Sequence, residues 1–189
     1  DGHNNLGLLY AEQSKYVDSI KCFEKAIKLN SKNPHFYNNL GNSYAQIDEH
    51  NVAIKNFKLA LNCDHNFFLS YNNIGLVKYK LKKFEEAIEY FKKSILINNQ
   101  FAEGYLNIGN SYFEIGQINL ALKNITTSIK INPNFAPAYN NLGNILKDQN
   151  LHADAIKNYK DAIKINPRFA EFYNNLGNSL SDINKTEEA

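Results

Sequence analysis

Cysteine occurs only twice in this 189-residue chain, arginine once, and tryptophan and methionine not at all. Cys22 and Cys63 lie far apart and fit no zinc or redox spacing. Two cysteines in a chain of this length are no disulfide scaffold. Both fall on expected helices and are read as small buried hydrophobes. The inference is a reducing compartment, cytoplasmic or nuclear. No apolar run approaches the roughly 20 residues that a membrane span needs, and no signal-peptide pattern opens the chain. The net charge of +2 argues against a dedicated nucleic-acid binder. No GxxxxGK phosphate loop and no His-x-x-x-His pair occurs. His50 and His152 recur at one place in an expected inter-helix turn and are assigned to surface or packing. No nucleophile stands beside a base, so these residues are expected to hold no catalytic group, cofactor or metal and not to form an enzyme. With 43% hydrophobic and 21% charged residues, the chain is not disordered.

What is present is a period. Gly7, Gly41, Gly75, Gly109, Gly143 and Gly177 stand 34 residues apart without a slip. Such a period marks stacked supersecondary units, whose function usually lies on a continuous surface and not in a cleft of one core. Taking each glycine as position 8, position 4 is His3, Tyr37, Tyr71, Tyr105, Tyr139 and Tyr173, and position 7 is always Leu or Ile. Position 11 is Tyr10, Tyr44, Lys78, Tyr112, Leu146 and Leu180. Positions 4, 7, 8 and 11 share one face of a helix, called A. Position 20 is Ser19, Ala53, Ala87, Ala121, Ala155 and Ala189; position 24 is Phe23, Phe57, Phe91, Ile125 and Tyr159; position 27 is always Ala or Ser. Their spacing gives a second helix, B. A glycine inside a helix costs roughly 1 kcal/mol against alanine, so six in register point to a steric need. Gly116 follows one helix A, Pro133 and Pro167 follow helix B, and Pro137 suits a first turn. Phe67, Phe101, Phe135 and Phe169 form an aromatic plug at position 34, which repeat 1 lacks because Asn33 stands there.

These residues resemble the tetratricopeptide repeat family: an aromatic, Leu, Gly and Tyr on helix A, then Ala, an aromatic and Ala on helix B, then Pro. His3, Lys78, Ser19, Ile125 and the missing prolines depart from the pattern. The resemblance implies an all-α, right-handed superhelical solenoid of antiparallel helix hairpins, with A helices on the concave side. One array over 1–189 is expected, in units 1–33, 34–67, 68–101, 102–135, 136–169 and a partial 170–189. The chain opens and stops inside repeats and is read as part of a longer protein. A narrower resemblance lies in AYNNLGNILKDQNLHADAIKNYKDAIKINPRFAEFYNNLGNSL and FYNNLGNSYAQ, which look like the repeat region of O-linked N-acetylglucosamine transferases and the related plant fucosyltransferase. It implies an asparagine ladder that holds substrate polypeptides for a catalytic domain elsewhere in the chain. Chaperone-binding members of the repeat family grip a terminal carboxylate with Lys and Arg on helix A. Here those positions hold Asn, Leu, His, Glu and Pro, so that clamp is not expected.

Helix A has a second face, at positions 2, 5, 6, 9 and 13. Position 6 is Asn5, Asn39, Asn73, Asn107, Asn141 and Asn175 without exception. Position 5 adds Asn38, Asn72, Asn140 and Asn174, with Asn4 in repeat 1, and position 9 adds Asn42, Asn110, Asn144 and Asn178. A primary amide offers an acceptor and two donors, the complement of a peptide bond. The sharp reading is a ladder that clamps the backbone of an extended protein or peptide segment by bidentate hydrogen bonds. Two others stand beside it. The 31 asparagines, with 20 lysines to one arginine, fit an A/T-rich coding bias. Alternatively, position-6 asparagines bond a neighbouring helix and set the pitch. The sequons at Asn124 and Asn184 are discounted, since asparagine is so common here. Positions 1 to 14 carry Lys78, Lys80 and Lys147 against seven carboxylates, so the groove is expected to be neutral to acidic and the helix B wall, with Lys21, Lys55, Lys58, Lys92, Lys123, Lys157 and Lys160, basic. The expected function is a protein–protein interaction module, with the docking arm of a glycosyltransferase as the alternative. Self-association through apolar ends such as Leu176 and Leu180 is a third expectation.

Overall fold

The computed structural model describes residues 2–187, with side chains through residue 183. Among them the secondary structure is helical throughout: α1 (Gly2–Glu12), α2 (Tyr16–Leu29), α3 (Pro34–Gln46), α4 (His50–Cys63), α5 (Phe68–Lys80), α6 (Phe84–Ile97), α7 (Ala102–Glu114), α8 (Ile118–Ile131), α9 (Ala136–Asp148), α10 (His152–Ile165) and α11 (Ala170–Glu187). Odd-numbered helices are the A helices and even-numbered ones the B helices. The chain divides into two compact units, Asp1–Asn99 with α1 to α6 and Gln100–Ala189 with α7 to α11. Within each unit a helix A packs most on its own helix B, then on the B before it, and least on the next A.

The A-to-B turn is the same in every hairpin. Position 15 takes a left-handed backbone at Ser14 (φ 58°), Asp48 (62°), Lys82 (57°), Gly116 (74°) and Asn150 (60°). The next N–H then reaches back to the carbonyl of position 11, as in Lys15 to Tyr10 at 2.8 Å and Gln117 to Tyr112 at 2.9 Å, which closes the C-terminus of helix A. Only Gly116 uses the residue this backbone prefers. The B-to-A link is an Asx turn. Asn30, Asp64, Asn132 and Asn166 accept on Oδ1 the N–H two residues on, at 2.9–3.4 Å.

The core is built on positions 20, 24 and 27. Ala53, Ala87, Ala121 and Ala155 are fully buried, as are Phe91, Ile125 and Tyr159, with Phe23 and Phe57 nearly so. A Cβ added at Gly75 would stand 2.5 Å from the Phe91 ring, and one at Gly143 would stand 2.6 Å from Tyr159. The steric need for these glycines is therefore the ring of the partner helix B lying on them. Where position 27 is Ser, its hydroxyl donates to the first-turn carbonyl of helix A: Ser94 to Phe68 at 3.0 Å and Ser128 to Ala102 at 2.7 Å.

Several departures acquire causes. Lys78, in place of an aromatic, lays its stem inward and pairs its ammonium with Glu86 at 2.6 Å. That pairing holds the Glu86 carboxyl below its usual range. Asn33 replaces the aromatic plug because it caps α3, accepting the His35 N–H at 3.0 Å ahead of Pro34. His50 and His152 begin α4 and α10 and do not lie in the turn itself. Cys22 is buried, but Cys63 is exposed at the end of α4, which corrects its reading as a buried hydrophobe. Asn124 lies within α8 and its amide donates to the Leu120 carbonyl at 2.8 Å. The Ala189 position and the Asn184 side chain lie outside what is described.

Candidate functional site

The asparagine face separates into three rows with different exposure. Position 5 is not on the open face: Asn38, Asn72 and Asn140 are buried, and so is Leu106. This corrects the helical-wheel expectation. Asn38 and Asn140 face the next helix A of their own unit, which reaches them through Asn73 and Asn175. Asn174 is exposed on α11, the last described helix A. Position 6 is half-buried at Asn39, Asn73, Asn107, Asn141 and Asn175, and exposed at Asn5. Position 9 is exposed at Asn42 and Asn178 and half-buried at Asn110 and Asn144.

The rows are wired together repeat to repeat. In the first unit, Asn39 Nδ2 donates to Asn4 Oδ1 at 3.0 Å. Asn73 Nδ2 donates to Asn38 Oδ1 at 2.9 Å and to Asn42 Oδ1 at 3.0 Å. Asn38 Oδ1 also accepts the buried Ser70 hydroxyl at 3.0 Å. The second unit repeats the scheme: Asn141 donates to Asn110 and Asn175 to Asn140, each at 2.9 Å. Asn140 in turn donates to Glu171 at 3.3 Å. The direction is constant. Position-6 asparagines spend N–H donors backward on carbonyls of the preceding helix A, at position 5 or 9. Asn73 spends both of its donors and keeps its carbonyl oxygen; Asn42, with its carbonyl engaged, keeps both N–H donors.

In the first unit the face is also dented at a fixed register. One cleft, about 460 Å³, lies among Leu8, Ala11, Glu12, Asn39, Asn42 and Gln46 over Phe23. The other, about 160 Å³, lies among Asn42, Ala45, Gln46, Asn73, Leu76 and Lys80 over Phe57. Apart from the floor and a residue from the start of helix B, each takes positions 9, 12 and 13 of one repeat and 6, 9, 10 and 13 of the next. Charge differs between them. Lys80, which lines the smaller cleft, pairs with Asp48 at 2.6 Å and holds that carboxyl below its usual range. In the second unit, Tyr159 replaces the floor phenylalanine and its hydroxyl donates to Asn144 Oδ1 at 2.9 Å. Burial pushes that hydroxyl up to about 12, with Asp148 adding to it.

Lys21, Lys55, Lys58, Lys92, Lys123, Lys157 and Lys160 are all exposed on B helices. Among the described residues no group of three or more His, Cys, Asp or Glu side chains is placed to hold a metal ion. No helix among them is long and apolar enough to cross a membrane. Sequence reasoning found the asparagines and placed Tyr159 on helix B, but missed Ser70, the bond from Tyr159 to Asn144 and the clefts. The 24-position floor under a 9-position amide was the signal available.

Family models for the tetratricopeptide repeat match residues 7–48, 109–150 and 143–183, and further ones match 34–64 and 68–101. The chain belongs to the tetratricopeptide repeat family. No curated protein matches it in sequence. Among solved structures, a thermophilic tetratricopeptide repeat protein of Thermus thermophilus is similar over 95% of this chain and 97% of that one, with TM-score 0.82 at 17% identity. MamA is similar over 87% and 96%, with TM-score 0.69 at 24% identity. YrrB, described as a tetratricopeptide repeat protein with an unusual peptide-binding site, is similar over 91% and 89%, with TM-score 0.64 at 21% identity. At these identities the likeness is one of fold.

Proposed function

We propose that this tetratricopeptide repeat chain is a protein–protein interaction module that holds an extended polypeptide along the asparagine face of its A helices. One observation carries the reading. Across the Asn73–Asn42 pair, a free carbonyl oxygen and two free N–H groups stand together at the smaller cleft, and Asn42 lines the larger one as well. A peptide unit needs one acceptor and one donor. At this place the clamp is a pair of asparagines on adjacent helices and not one asparagine alone, because both Asn73 N–H groups already hold the preceding helix A. The ladder is at once structural and binding, and Asn5, Asn39, Asn73, Asn107, Asn141 and Asn175 serve in it with Asn42, Asn110, Asn144 and Asn178. The unusual peptide-binding site of YrrB lends support, as one use of a similar fold.

The test compares a peptide array on the wild-type chain with Asn42→Leu, which copies Leu8 and Leu76 at the same position, and with Asn73→Ala. Asn42→Leu is expected to lose main-chain binding, with its melting lowered only by the loss of the one bond from Asn73. Binding left intact in both variants overturns the reading and moves the search to the basic helix B wall.

The narrower reading, a docking arm for a glycosyltransferase, draws its support from the two quoted sequence strings. Sequencing the gene onward from Ala189 decides it: a nucleotide-sugar-binding domain supports it, and a stop without one rejects it.

A further inference from the structure

The two clefts of the first unit differ in where their cations come from. The smaller cleft already contains one. Lys80, the last residue of α5, lines it and reaches Asp48 at 2.6 Å. The equivalent place in the larger cleft is Gln46, the last residue of α3, which carries no charge. Facing it is Glu12, the last residue of α1, whose exposed carboxylate forms no ion pair among the described residues. Neither α1 nor α3 has a basic residue in its last turn, whereas α5 has Lys78 and Lys80. The C-terminal end of a helix carries partial negative charge that a cation relieves. The larger cleft therefore has no cation among its lining residues, and carries the Glu12 carboxylate beside an apolar surface of Leu8, Ala11 and Phe23. Its volume of about 460 Å³ falls in the size range of small-ligand pockets, roughly 300–1,000 Å³.

We infer that this cleft is a specificity pocket for a basic side chain, lysine or arginine, of the extended polypeptide. This rests on the reading above and names the chemistry of that partner. The aliphatic stem lies on Leu8 and Phe23, and the cationic head reaches Glu12. The main chain of the same residue passes Asn39 and Asn42 on the rim. The smaller cleft supplies its own cation and takes a neutral side chain.

The test uses short end-capped fluorescent peptides of identical neutral sequence with one central Lys, Glu or Gln, read by anisotropy. Wild type is expected to prefer Lys over Glu by about tenfold at low salt, and less as salt rises. Glu12→Gln should erase the preference, and Glu12→Lys should reverse it. Gln46→Lys should also erase it, by installing the internal cation that Lys80 provides next door. Glu12 and Gln46 are exposed, so folding is expected to survive all three changes. Peptides that bind equally well whatever the central residue, or a preference that persists in Glu12→Gln, overturn this inference and leave the asparagine-face reading standing. No binding of any peptide to any variant overturns both.

Discussion

Gly75 and Gly177 occupy the same position in repeats three and six, and they live in opposite surroundings. A Cβ at Gly75 would lie 2.5 Å from the Phe91 ring, while one at Gly177 meets nothing within 4 Å. Gly75 has a partner helix B closing on it, whereas no described helix B closes on α11. The same glycine is thus a packing requirement in one repeat and only a helix weakener in the other. Position 5 makes the same point: Asn140 is buried beneath the next helix A, and Asn174 is exposed. What a residue does in this array depends on its neighbour in the next helix as much as on its own.

The largest expected effect breaks that comparison directly. Gly75→Ala should destabilise the protein by about 1–3 kcal/mol, since the Phe91 ring must move within a packed core. Gly177→Ala should leave stability unchanged or raise it by roughly 0.5–1 kcal/mol, from helix propensity alone. Urea denaturation followed by circular dichroism checks both, and equal effects would contradict the contrast. Next is the amide ladder. Asn73→Ala removes two hydrogen bonds and should cost about 1–2 kcal/mol, against about half that for Asn39→Ala, which removes one.

Tyr159→Phe sharpens the contrast between the floors of the two units. Losing the hydrogen bond to Asn144 should cost about 0.5–1.5 kcal/mol at neutral pH. The folded hydroxyl titrates at about 12, above the ordinary 10, so wild-type stability should fall as pH rises from 10 toward 12. In that window the unfolded chain releases the proton and the folded chain retains it. The Phe variant should show a shallower fall, read as the difference between two urea titrations across that window. The smallest effects lie in the A-to-B turns. Lys82→Gly relieves a left-handed lysine and should stabilise by roughly 0.5–1 kcal/mol, while Gly116→Ala imposes the same strain and should destabilise by a like amount, both seen as shifts in thermal midpoint.

The helices and their pairing were legible in the sequence because positions 4, 7, 8 and 11, then 20, 24 and 27, recur from unit to unit at helical spacing. Gly75 and Phe91 could even be matched as partners by size. The asparagine rows were legible as rows, but not their division of labour. A helical wheel puts position 5 opposite the core, and only the angle at which the next helix A arrives makes Asn38 buried and Asn42 open. Nor does composition show direction: that Asn73 gives its N–H groups backward follows from the placement of Asn38 and Asn42. Lys82 could not be recognised as a left-handed residue, because nothing about lysine announces a turn that its neighbours impose.

The most direct test of the central claim is a chemical-shift map of the isotopically labelled chain titrated with a peptide selected on the array. The side-chain amides of Asn39, Asn42 and Asn73, with the backbone of Leu8, Gln46 and Leu76, are expected to move together and saturate at one peptide concentration. Shifts confined to the B-helix lysines, with those amides unmoved, would contradict it.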